Sequence, residues 1–136
     1  MINPQTPEIY WLTLTVLLTA LLWVPYILQL IVQLGPVQAV WDPTGAHPHD
    51  APWALRAKRA HYNAVENLAV FAPLVILAVL LEQTTATTAT AAMIYFFARV
   101  GHFAVYVFAV PVVRTLAFIT GFVCQMVFAT AILGGL

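Results

Sequence analysis

Residues 53–82 read WALRAKRAHYNAVENLAVFAPLVILAVLLE. The first turns carry Arg56, Lys58 and Arg59, and from Leu68 to Leu81 the stretch is apolar throughout. As a helix rising ~1.5 Å per residue it is about 45 Å long, more than a hydrocarbon core of ~30 Å. The basic turns must therefore project toward headgroups while the rest crosses the bilayer. Arg59, Asn63 and Glu66 recur at helical spacing and share one face. Glu66 lies well inside the span, and an ionisable group there costs several kcal/mol unless paired or hydrated. Such a residue is a functional-site hypothesis by default.

The remainder of the chain reads the same way. Five Lys/Arg and five Asp/Glu make 7% of 136 residues, 62% are hydrophobic, and mean hydropathy is +0.92. A soluble domain carries roughly 25% charge, so this composition specifies an integral membrane protein of one domain. The zero net charge argues against nucleic acid as a partner. The lone cysteine, Cys124, sits in an apolar run and reads as core packing.

Four spans are expected, at about 9–34, 53–82, 91–110 and 113–133, which makes the fold an all-α four-helix membrane bundle across residues 1–136. Tyr10 and Trp11 suit an interfacial position at the start of the first span. Pro25 should kink that span, and Gln29 and Gln33 should face protein or the interface. Between Gly35 and Pro52 the density of Gly and Pro predicts an extramembrane loop without helix or strand. Trp41 is its expected interfacial anchor. His47 and His49 lie in it without a Cys or carboxylate cluster, so no metal site is expected. With four spans both termini share a side. Arg56, Lys58, Arg59 and Arg114 map to the opposite side, which the positive-inside rule makes cytoplasmic for the first and third loops.

A second polar stripe lies on the third span: Arg99, His102 and Tyr106. Counted from the intervening turn, Glu66 lies about 24 Å deep and Arg99 about 17 Å. A Glu66–Arg99 ion pair inside the bundle is the simplest relief for both charges. One pair accounts for only two of these residues. Arg59, Asn63, His102, Tyr106 and Arg114 remain, a positive surplus suited to an anionic ligand entering from the cytoplasm. His61 points away from the Arg59–Asn63 face, which disfavours a haem held between His61 and His102. Ala57, Ala60 and Ala64 form a small-residue groove for close helix packing.

The string Arg59-Ala60-His61-Tyr62-Asn63-Ala64-Val65-Glu66-Asn67 resembles the signature of the MAPEG superfamily (membrane-associated proteins in eicosanoid and glutathione metabolism). Ala98 to Tyr106 is similar to its third-helix pattern, and Pro111 to Thr115 to its third loop. The resemblance covers essentially the whole chain. It implies a homotrimer that binds glutathione as co-substrate at subunit interfaces, together with a lipophilic small-molecule electrophile from the membrane lipids. The matching ligand positions are Arg59, Asn63, Glu66, Arg99, His102, Tyr106 and Arg114, and those matching the catalytic pair are Arg114 and Thr115. Tyr62 stands where some glutathione-binding members carry a further arginine, and Phe118 where several carry a tyrosine. The first helix ends in Gln33-Leu34-Gly35, with no basic residue where some members place one. The expected function is a glutathione-dependent transferase or peroxidase. The alternatives are a non-catalytic member binding a lipid or small anion, and a small four-helix transporter.

Overall fold

In the computed structural model, which describes residues 6–42 and 44–134, every regular element is a helix. They are α1 (Pro7–Leu21), α2 (Val24–Leu34), α3 (Pro36–Val40), α4 (Pro52–Leu80), α5 (Ala86–Val107) and α6 (Pro111–Gly134). Pro7–Leu34, Pro52–Leu80, Ala86–Val107 and Pro111–Gly134 are each long and apolar enough to cross a membrane. The protein is an integral, multi-pass, all-helical membrane protein. Its second span ends at Leu80, earlier than the sequence suggests, and its third begins at Ala86 and stops at Val107.

The first span is broken at Leu22–Trp23, with Pro25 in the first turn of α2. A proline lacks the N–H of the helix interior, and the first turn is where that loss is free. Both later turns end helices by the same device. After α4, Glu82 adopts φ 55°, with Glu82 N–H bonded to Val79 O and Gln83 N–H to Ala78 O. After α5, Ala109 adopts φ 60°, with its N–H bonded to Tyr106 O and that of Val110 to Val105 O. These paired bonds satisfy the last carbonyls of each helix around one left-handed residue. The segment after Gly35 departs from the expected irregular loop. Gly35 takes φ 83°, and the chain then turns through the short helix α3 with Pro36 at its first position. The local pattern of Gly followed by Pro favours this stop and restart.

α5 is the centre of the bundle, packed most extensively on α6 and also on α1 and α4, while α4 touches α1 and α6. Phe71 stacks on Tyr95 with ring centroids 3.6 Å apart and meets Phe128 edge-on at 5.6 Å. Val75, Ala78, Ala92, Cys124 and Ile132 complete this core. Ala54, Ala57, Ala60 and Ala64 are all buried, so the expected alanine groove is where α4 approaches its neighbours. Large apolar side chains such as Leu17, Phe97 and Leu116 are more than half exposed, as befits surfaces solvated by lipid rather than water.

The bundle has a basic and an acidic end. At the basic end the Arg56 Nε donates to Val107 O at 2.8 Å, joining the start of α4 to the C-terminus of α5, where a cation suits the helix dipole. Lys58 and Arg59 on α4 and Arg114 on α6 lie at this end. At the acidic end Glu8, 2% exposed, accepts the Thr88 hydroxyl at 2.6 Å. Thr85 and Thr88 also form a reciprocal capping box at the start of α5. The Glu8 carboxylate thus lies in the first turn of α1 and against the first turn of α5, two positions that favour negative charge.

The first loop is strapped onto α2. Gln29 Nε2 donates to Asp50 Oδ1 at 2.6 Å and to Gln33 Oε1 at 3.0 Å. Gln33 Nε2 donates to Pro48 O, and Asp50 N–H donates to Gln33 Oε1. The two glutamines therefore face protein, as their place in an apolar span requires. His49 is not freely solvated, since its Nδ1 lies 2.6 Å from Gln29 Oε1.

Candidate functional site

From the middle of α5 toward the basic end, polar side chains follow one another in contact. Arg99, 3% exposed, donates from Nη2 to Asn63 Oδ1 of α4 at 2.7 Å and lies 3.3 Å from His102 Nδ1. His102, also buried, meets the Tyr106 ring edge-on with centroids 5.5 Å apart. The Arg114 guanidinium of α6 sits 4.7 Å above the Tyr106 ring, a cation–π contact. Spacings of three and four place Arg99, His102 and Tyr106 on one face of α5. The short α5–α6 turn brings Arg114 back over the last of them. Phe118, one turn further along α6, lies 6.5 Å from His102.

This ladder holds two guanidinium groups and, among the described residues, no carboxylate. The expected Glu66–Arg99 ion pair does not form. Glu66 is exposed on the outer side of α4, and the Arg99 Nε and Nη1 atoms are buried without any hydrogen-bond partner. At the level of Arg99 the α4 residue facing α5 is Asn63; Glu66, three residues on, is rotated past the contact. Arg59 is likewise exposed, and among the described residues neither it nor Glu66 makes a side-chain bond. The fold therefore brings together Asn63, Arg99, His102, Tyr106 and Arg114, and leaves Arg59 and Glu66 on an outward face. Thr115 is exposed, and its hydroxyl donates to Pro111 O at 3.1 Å. His61 turns elsewhere, its Nδ1 2.8 Å from the Tyr26 hydroxyl of α2, so it does not converge with His102.

Two residues of this polar layer, Gln125 and Tyr95, lie outside the stripes read from the sequence. Gln125 of α6 is buried and donates to Asn67 O at 3.3 Å. A lone glutamine in the apolar run of α6 was the available signal. Asn67 in turn donates to Asn63 O. Tyr95 buries its hydroxyl without a partner one turn before Arg99, and its aromatic character gave no sign of that. No group of three or more His, Cys, Asp or Glu among the described residues could hold a metal ion.

Fold and site together define a four-span helical membrane protein with a cationic polar ladder running to one membrane edge. The chain belongs to the MAPEG family, whose model matches residues 9–134. A comparison with curated proteins gives no match.

Proposed function

We propose that this protein is a glutathione-dependent transferase or peroxidase acting on lipophilic electrophiles. The observation that carries the reading is the ladder Asn63–Arg99–His102–Tyr106–Arg114, which presents cations with no internal counter-charge. A buried unpaired guanidinium is costly, and a ligand carboxylate offsets it through charge-assisted bonds. Glutathione carries two carboxylates, an amine and a thiol.

The outward face of α4 supports the assembly that this reading needs. Arg59 and Glu66 are exposed in the isolated chain, yet Glu66 lies within a membrane-crossing helix. A carboxylate at that depth does not face lipid. A second copy of the chain covering this face, in a homotrimer, would place Arg59 and Glu66 beside the ligand. Glu66 would then meet the glutathione amine, and Arg59 a carboxylate. The basic end faces the cytoplasm by the positive-inside rule, which suits a water-soluble thiol entering from that side.

Arg114 supplies the chemistry. A guanidinium held over Tyr106 beside the glutathione sulfur stabilises thiolate over thiol, and the thiolate is the nucleophile. The Thr115 hydroxyl, one residue on, would add a hydrogen bond after leaving Pro111 O. The bilayer delivers the apolar electrophile. A second reading, binding without turnover, rests on Phe118, which puts an apolar ring 6.5 Å from His102 where a hydroxyl would help the thiolate.

Thermal unfolding in detergent tests the assignment. Glutathione should raise the melting temperature of the wild-type protein. Arg59→Ala and Arg114→Ala should lose that rise while keeping the oligomer. An undiminished rise in both variants would reject the roles given to these arginines.

A further inference from the structure

Two hollows adjoin at the acidic end of the bundle, and both are lined by Ala86. The larger, about 610 Å³, is a groove between α5 and α6 lined by Ile94, Ile119, Val123 and Val127 together with Thr90 and Thr120. The Thr90 and Thr120 hydroxyls donate to Ala86 O and Leu116 O of their own helices, each at 2.9 Å. Both hydroxyls are therefore satisfied within their own helices, and the lining is largely hydrocarbon in character. It runs from Ala86 to Ile94 on α5 and from Ile119 to Val127 on α6, about 12 Å along the helices at ~1.5 Å per residue. The smaller hollow, about 470 Å³, lies where α1 begins beside the α4–α5 turn, with Glu8, Thr84 and Thr85 in its wall.

We propose that these two hollows bind one phospholipid whose headgroup carries an ammonium ion, with an acyl chain in the α5–α6 groove and the ammonium at Glu8. The groove opens onto the same bilayer that the four spans cross, so hydrocarbon is its natural occupant. The polar hollow continues it at the membrane edge, where a headgroup sits. Charge selects the headgroup. Glu8 lines the hollow and Glu82 lies in the adjacent turn, whereas Arg56, Lys58, Arg59 and Arg114 all lie toward the basic end. An anionic headgroup would meet carboxylates and, among the described residues, no Lys or Arg there; an ammonium meets a carboxylate seated at two helix N-termini. The assignment is independent of the glutathione reading.

Native mass spectrometry of the full-length protein, loaded from equimolar phosphatidylethanolamine and phosphatidylglycerol, reads the preference. The wild-type protein should retain phosphatidylethanolamine about tenfold better, the size of one charge-assisted hydrogen bond. Thr120→Trp, which fills the groove from an exposed position, should lose both lipids. Glu8→Gln should lower phosphatidylethanolamine to the level of phosphatidylglycerol. Equal retention of the two lipids by the wild-type protein would overturn the proposal. So would a Thr120→Trp variant that changes the oligomer but retains lipid, since the groove would then be a contact between copies. Crosslinking of the wild-type protein by phosphatidylethanolamine with a diazirine on its acyl chain needs no variant to fold. It should label peptides spanning 86–94 and 119–127, and labelling confined to other surfaces would equally overturn the assignment.

Discussion

Arg99 shows how far a residue's chemistry outruns its spacing. A guanidinium buried mid-span needs acceptors, and periodicity correctly placed it opposite the polar stripe of α4. Three residues of helix rotation then decide between Glu66 and Asn63, and Asn63 holds the contact. The stability consequences invert the expectation from an ion pair. Asn63→Ala should destabilise the protein by about 2–3 kcal/mol, because it strips an acceptor from a buried charge. Glu66→Gln should cost less than Asn63→Ala, because among the described residues of one protomer the Glu66 side chain makes no bond to lose. Denaturant titration of the two variants in detergent gives the order, and a larger loss for Glu66→Gln would restore the ion pair. Glu8 teaches a similar lesson at the other end of the chain. In the first turn of α1, it is buried against Thr88, a partner 80 positions away that no local pattern announces. Thr88→Val should cost about 1–3 kcal/mol by leaving that carboxylate unsatisfied; Thr90→Val, at an exposed site, should cost under about 0.5 kcal/mol. Equal losses would mean that the Glu8 contact contributes nothing.

At the level of elements, the spans were legible because apolar length alone marks a membrane helix, and the alanine spacing of α4 marked its packing face. Boundaries were less so. The Thr-rich stretch from Glu82 to Thr90 reads as a turn, yet α5 begins within it at Ala86, capped by Thr85 and Thr88. The left-handed residues that end α4 and α5 are Glu82 and Ala109, where a glycine would have been the recognisable sign. Ala109→Gly should therefore stabilise the protein by about 1 kcal/mol, because glycine adopts this conformation without steric cost; a lower melting temperature would show that the turn gains nothing from that freedom. The first loop was read as solvated because glutamines in α2 cannot be paired with a loop by periodicity. Its strap has a pH signature. Burial, and then the field of the Lys58 ammonium, hold the His49 imidazole below the ordinary histidine range, against a smaller opposing pull from Asp50. The neutral form is the one the folded loop favours. That contribution is complete above the unfolded value of about 6.5 and is lost as pH falls through the lower folded value. Protection of the amides across residues 44–50, after correction for the intrinsic pH dependence of exchange, should fall on acidification, and His49→Gln should remove that fall; protection that stays constant with pH in the wild-type protein would contradict the strap.

For the whole molecule, membership of the MAPEG family and the four-span bundle were both readable from one polar string in an apolar chain. The candidate site was readable only in part. Arg99, His102, Tyr106 and Arg114 share a face or a short turn, so local geometry assembles them, and Asn63 joins across a single helix contact. Arg59 and Glu66 lie on a flank of α4 turned past that contact, and their role depends on what covers it, which one chain's pattern does not contain. We propose that the cationic ladder receives an anionic thiol between copies of the chain. Calorimetric titration of the purified wild-type protein with glutathione tests that proposal most directly. Saturable binding that Arg114→Ala weakens by about tenfold or more, the worth of one charge-assisted contact, is the expected result. The absence of any binding heat and of any competition by glutathione analogues, with the oligomer intact, would contradict it.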